Sequence, residues 1–109
     1  PAVRAGDFIY VSGQGPTDPL QDRIVEFDIR PQTRQTILNL QVILEAAGAS
    51  LADVVKCSVF LKHAGDFQAM NEVYVEFFGA APPARTTVEA KFHNQDMLIE
   101  IDCVAYKPR

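Results

Sequence analysis

Residues 37–61, ILNLQVILEAAGASLADVVKCSVFL, carry two kinds of pattern in immediate succession. Ile37, Leu40, Leu44 and Ala47 fall at i, i+3, i+7 and i+10, the spacing that gathers apolar side chains into one stripe of a helix. Gly48 follows as its stop. Val54 to Leu61 (VVKCSVFL) is apolar and rich in β-branched residues, which predicts a largely buried strand. Upstream, Asp28 has the character of an N-cap, and Pro31 falls in the first helical turn, where its missing N–H does little harm. Gln32-Thr33-Arg34-Gln35 reads as the solvated face of that turn. Residues 15–23, with Pro16, Asp18, Pro19 and Asp22, read as a turn-rich loop. Before them Phe8-Ile9-Tyr10-Val11-Ser12 is a strand, entered from Ala5-Gly6-Asp7 and left through Gly13-Gln14-Gly15-Pro16.

Downstream, Phe67, Met70, Tyr74 and Phe78 share one face of a second helix, from about Asp66 to Phe78, with Gly79 as its stop. The connection Ala80-Ala81-Pro82-Pro83 leads into two further strands, near 85–92 and 97–106. The order β, a short β, then α-β-α-β-β predicts an α+β domain, a mixed sheet with both helices on one face. No helix is left for the other face, so an apolar face there would be covered by oligomerisation. At 109 residues the chain is one domain, 1–109. Its 48% hydrophobic and 22% charged residues are ordinary for a globular protein that folds without staples.

Charge narrows the partners. The net charge is −4 and the ten Lys and Arg are scattered, whereas nucleic-acid binding draws its affinity from a basic face. No run approaches the ~18 apolar residues of a membrane span, and no charged-then-apolar leader is present, which points to the cytoplasm. Pro1, without a Met, is expected to have residues upstream of it. Cys57 and Cys103 sit in apolar strands and read as buried thiols rather than a disulfide. His63 and His93 lack ligand spacing, so no metal is expected. Gly13-Gln14-Gly15 has neither the third Gly nor the Lys of a nucleotide-binding loop, and no cofactor is expected.

Three polar residues invite chemistry. Alternation along the last strand puts Met97, Ile99, Ile101, Cys103 and Ala105 toward the helices and Leu98, Glu100, Asp102, Val104 and Tyr106 on the other face. Glu100 there is either a solvent-side charge or a half-buried carboxylate at a subunit contact. In the preceding strand Thr86, Val88, Ala90 and Phe92 are expected inward, with Arg85, Thr87, Glu89 and Lys91 on the other face. Arg85 emerges from a rigid Pro-Pro-Ala turn; its fork suits a carboxylate, though a surface ion pair is the plain alternative. With the two strands taken as neighbours, Arg85 and Glu100 share the helix-free face. Asn71 falls at the edge of the buried stripe of the second helix, where its amide either braces a loop or serves a site.

These segments together resemble the RidA/YjgF family. The resemblance runs through GDFIYVSGQ (6–14), QTRQ (32–35), ILEAAGA (43–49), DVVK (53–56), NEVY (71–74), PAR (83–85) and IEI (99–101), across essentially the whole chain. It implies a chorismate-mutase-like fold, a homotrimer and ligand clefts between subunits. It implies a hydrolase acting on C=N bonds, a 2-iminobutanoate/2-iminopropanoate deaminase that converts 2-imino (enamine) acids such as 2-aminoacrylate to 2-keto acids and ammonia. Arg85 matches the arginine that grips the substrate carboxylate, and Glu100 the glutamate that positions the attacking water. Asn71 and the Gly13 backbone match further positions lining the cleft. Where many members read Arg-Ser-Cys, this chain has Arg85-Thr86-Thr87, a hydroxyl in place of the cleft thiol. The Gly-Pro-Tyr-Ser segment, whose Tyr contributes to the family cleft, would lie just before Pro1. Two other classes fit the same resemblance: a non-catalytic module binding keto or amino acids, and an endoribonuclease or translation inhibitor, which the charge disfavours.

Overall fold

The computed structural model describes residues 1–79 and 81–109; Ala80, read above as part of a connection, lies outside the described residues. The elements are β1 (Ala2–Ala5), β2 (Phe8–Gln14), β3 (Thr17–Asp18), β4 (Arg23–Ile24), α1 (Ile29–Ala46), β5 (Val54–Leu61), α2 (Phe67–Phe78), β6 (Ala84–Glu89) and β7 (Ile99–Tyr106). A five-stranded mixed sheet has the order β1-β2-β7-β5-β6, with β3 and β4 paired separately in a small hairpin. The expected α+β architecture is present.

The Asp28 side chain accepts from the Arg30 backbone N–H at 3.0 Å and caps α1, and Pro31 sits harmlessly in its first turn. Ile37, Leu40 and Leu44 are fully buried against Ile9, Val11, Ile99, Ile101 and Cys103 of the sheet. Ala47 lies past the helix end and is exposed, so the stripe closes at Leu44. Gln32 and Thr33 are also fully buried, contrary to the solvated turn expected for them. Gln32 Nε2 donates to the Asp96 and Glu26 carbonyls at 2.8 and 3.3 Å, and its Oε1 accepts from the Leu98 N–H at 2.8 Å. A buried amide satisfied on every side is a clamp, and this one fixes the loop that leads into β7.

The sheet has a strand the sequence did not signal and a different order from the one expected. The strand at Ala2–Ala5 was not foreseen; it folds back on β2 through Gly6, whose φ of +60° suits a residue without Cβ. More important, β6 and β7 are not neighbours. Helix α2 joins β5 to β6, and a helical crossover returns the chain parallel to the strand it left, so β6 pairs with β5 at the sheet edge. Residues 90–98 then pass the end of β5, and β7 pairs antiparallel on its far side.

The registers settle the faces. Arg85 aligns with Cys57 and Cys103, and Thr87 with Val59 and Ile101, all on the helix-covered side. Arg85, Thr87 and Glu89 therefore lie toward the helices, and Thr86 and Val88 point away, the reverse of the expectation for β6. Glu100 aligns with Phe60 and Val88 on the helix-free side, as the alternation of β7 predicted. That open face also carries Val3, Phe8, Tyr10 and Tyr106, which with Val88 are 39–66% exposed. Among the described residues no helix is long and apolar enough to cross a membrane.

Candidate active site

The structure sorts the candidate residues into two groups. The first forms where α2 passes β6. Arg85 Nη1 donates to Asn71 Oδ1 at 2.7 Å. The guanidinium carbon lies 4.6 Å from the Tyr74 ring centroid and 5.2 Å from that of Phe67, both within the range of cation–π attraction. Asn71, Tyr74, Val75, Pro82, Pro83 and Arg85 line a cleft of about 350 Å³. Among the described residues Arg85 has no carboxylate partner. Its charge is held by neutral groups only, the Asn71 amide, the two rings and the nearby Tyr74 hydroxyl, which leaves other N–H groups of the fork for an anion.

Two residues on in the same strand face, the Thr87 hydroxyl is buried without a hydrogen-bond partner. The Tyr74 hydroxyl is likewise buried without an aligned partner; burial, reinforced by the Cys57 thiol beside it, keeps it protonated far above the usual phenol range. Burial also raises the Cys57 thiol, against a smaller lowering by Tyr74 and Arg85, and pushes Cys103 up to about 12. Both cysteines are free and buried, and both are poor nucleophiles at neutral pH, as their sequence context suggested.

The second group lies on the open face. Between Val11 and Gln14 the register of β2 against β7 slips by one residue, a bulge that contains Gly13. The half-buried Glu100 carboxylate rests on this glycine. A Cβ built on Gly13 would collide with Glu100 Oε2 and come within 2.8 Å of its Cδ. Gly13 is thus the space the carboxylate occupies. Among the described residues the Glu100 carboxylate has neither hydrogen bond nor ion pair, so its oxygens are free to accept hydrogen bonds. Helix α1 supports the loop beyond it, since Asn39 Nδ2 donates to the Gly15 and Thr17 carbonyls at 3.1 and 2.8 Å.

Arg85, Asn71 and Thr87 are therefore together, and so are Glu100 and Gly13, but the two groups do not meet within one chain. Arg85 and Glu100 are separated by β5, sit three residues out of step and point to opposite faces. Two strand spacings and three residue rises put their Cα atoms about 14 Å apart. Among the described residues no three His, Cys, Asp or Glu side chains converge as a metal site would require. Sequence reasoning missed Phe67 and Tyr74, which passed as core residues. It also missed Asn39, whose one signal is an amide of poor helix propensity in the middle of a long helix.

An α+β fold with an arginine lacking a carboxylate partner on one face and an unpaired carboxylate on the other presents two halves of a candidate site on separate surfaces. Comparison with known proteins names the class: the sequence model of the family described as Endoribonuclease L-PSP matches residues 1–107. A RutC family protein of Pyrococcus horikoshii is 52% identical over 106 residues, covering 97% of this chain and 84% of the relative. The 2-iminobutanoate/2-iminopropanoate deaminase of Salmonella typhimurium is 39% identical over 108 residues, covering 96% of this chain and 84% of the deaminase. The crystal structure of RidA from Psychrobacter sp. superposes with a TM-score of 0.91 at 37% identity, covering 96% of this chain and 85% of RidA. The chain belongs to the RidA/YjgF family.

Proposed function

We propose that this protein is a hydrolytic deaminase of 2-imino acids, working as a homotrimer whose sites join Arg85 of one subunit to Glu100 of the next. The observation that carries the reading is the division of the site: an arginine without a counter-ion and a carboxylate without a donor, about 14 Å apart on opposite faces of one sheet. Neither half is useful alone. Packing the open face of one copy against the β6 edge of another would cover Phe8, Tyr10, Val88 and Tyr106 and bring the halves into one water-poor cleft. A ring of such contacts is closed and heterologous, which agrees with the trimer that the family resemblance implies.

The chemistry needs little more. A 2-iminium carbon is already electrophilic, so the protein has to hold the substrate and deliver water. Arg85 takes the substrate carboxylate on its free fork. The Glu100 carboxylate accepts a proton as a water oxygen adds to the imine carbon, giving a carbinolamine. It returns that proton to the nitrogen, then accepts the hydroxyl proton as the C–N bond breaks to leave the keto group and ammonia, and passes this proton to the ammonia. Iminium and water become 2-keto acid and ammonium, with every proton accounted for. General acid–base help of this kind is worth roughly 10²–10⁴-fold.

The reading is strengthened by the Salmonella relative, whose name states this activity. Its test is ammonia release from 2-iminobutanoate generated in situ, using wild type, Glu100→Gln and Arg85→Ala. Wild type is expected to accelerate release, with both variants largely inactive. Binding of 2-ketobutyrate without ammonia release would overturn the catalytic step and leave a keto-acid-binding module.

A further inference from the structure

We infer that Asn71, with the rings of Phe67 and Tyr74, positions Arg85 and at the same time keeps its charge unneutralised. The inference rests on the proposed role of Arg85 as the carboxylate anchor, and it assigns Asn71 to the arginine rather than to the substrate.

An arginine at a sheet edge has four flexible torsions and normally finds an acid. Here it is placed by three neutral contacts: Asn71 Oδ1 at 2.7 Å from Nη1, and two aromatic rings within 5.2 Å of the guanidinium carbon. The amide accepts one N–H and fixes the fork in its plane, as the rings attract the cation without removing its charge. Acids do occur on the same helix, one position on at Glu72 and five on at Glu76. Glu72 pairs with Arg30 at 2.6 Å and Glu76 with Arg34 at 3.0 Å, both on α1, so neither neutralises Arg85. An aspartate in place of Asn71 would satisfy the same N–H with nearly the same shape. It would also pair with the guanidinium, and an incoming carboxylate would have to compete with it. The amide is thus the choice that orders the fork and leaves it cationic.

Positioning and charge predict different outcomes, which makes the role testable by calorimetric titration with 2-ketobutyrate alongside thermal melts. Asn71→Ala frees the fork and should weaken binding by about 3–10-fold, the range of one lost hydrogen bond. Asn71→Asp should weaken it by on the order of 10–100-fold, since a charge-assisted pair must be displaced. Yet the Asp variant should melt at or above the Ala variant, because the new ion pair braces β6 against α2. A merely structural Asn71 would make affinity follow melting temperature, whereas here the more stable variant binds worse. Phe67 is 42% exposed, so Phe67→Ala should fold normally and lose about 2–5-fold in affinity. Wild-type binding with an undiminished Asn71→Asp variant, or affinities that rank with melting temperature, would overturn the role of Asn71. No wild-type binding at all would remove Arg85 as an anchor, and this role with it.

Discussion

Replacing Gly13 by Ala displaces the Glu100 carboxylate without substituting it. The backbone at Gly13 is outside the left-handed region, so an alanine meets no conformational strain there. A Gly-to-Ala change at a tolerant position even favours folding by about 0.4–1 kcal/mol, through the unfolded chain. The new Cβ would come within 2.8 Å of Glu100 Cδ and 3.1 Å of its Cγ, where ordinary contact begins at 3.4 Å. The carboxylate is the far end of a flexible side chain and can withdraw, so the collision costs little stability. Withdrawal by about 1 Å is enough to spoil the delivery of water, a displacement typically worth on the order of 10²-fold in rate, or about 2.7 kcal/mol. Gly13→Ala should therefore melt within a few degrees of wild type, bind 2-ketobutyrate through Arg85, and release ammonia about a hundred times more slowly. On a Glu100→Gln background the same change should cost nothing further, since both substitutions act through one group. Wild-type turnover in Gly13→Ala, or a full additional loss on the Glu100→Gln background, would refute the placement of the reacting water at Glu100.

Two further expectations concern stability. Gln32→Ala removes three hydrogen bonds and orphans the Leu98 N–H and the Asp96 carbonyl, so denaturant melts should show a loss of about 2–4 kcal/mol; a loss below about 1 kcal/mol would mean that the 92–98 loop supports itself. The native thiols of Cys57 and Cys103 stay protonated above pH 9, where unfolded cysteines ionise, so above that pH the unfolded state binds fewer protons than the native one. Stability should be flat below about pH 8 and fall above pH 9, with a slope approaching 1.4 kcal/mol per pH unit for each thiol. Urea melts of wild type and Cys103→Ala across that window should show a shallower slope in the variant; identical slopes would contradict the burial of that thiol.

The elements that sequence made legible are those whose apolar periodicity is strong: the stripe Ile37, Leu40, Leu44, the face Met70, Tyr74, Phe78, and the strand Val54–Leu61. β7 was legible too, because Ile99, Ile101, Cys103 and Ala105 alternate cleanly with Glu100 and Asp102. β6 was not. In Ala84–Glu89 the most apolar residue, Val88, faces the open side, and the helix side is held by Arg85 and Thr87, so hydrophobicity pointed the wrong way. Edge strands are only half covered, and here the covered half lines the candidate cleft at Arg85. Adjacency of β6 and β7 failed for a topological reason: chain order suggested a hairpin, but the α2 crossover had already placed β6 outside β5. Gln32 was illegible because its burial depends on the Asp96 carbonyl and the Leu98 N–H, both more than sixty residues away. The candidate site residues came from the family resemblance, whereas their division between two faces required the registers.

The divided site is the central claim, and mixing subunits tests it most directly. Arg85→Ala and Glu100→Gln, each expected to be inactive alone, are co-expressed and the mixed assemblies assayed for ammonia release. In random trimers with each site built from one Arg85 and a neighbour's Glu100, about one interface in four carries both native residues. Activity should return to about a quarter of wild type. No recovery in assemblies shown by mass spectrometry to be mixed would mean that Arg85 and Glu100 do not form one site across subunits.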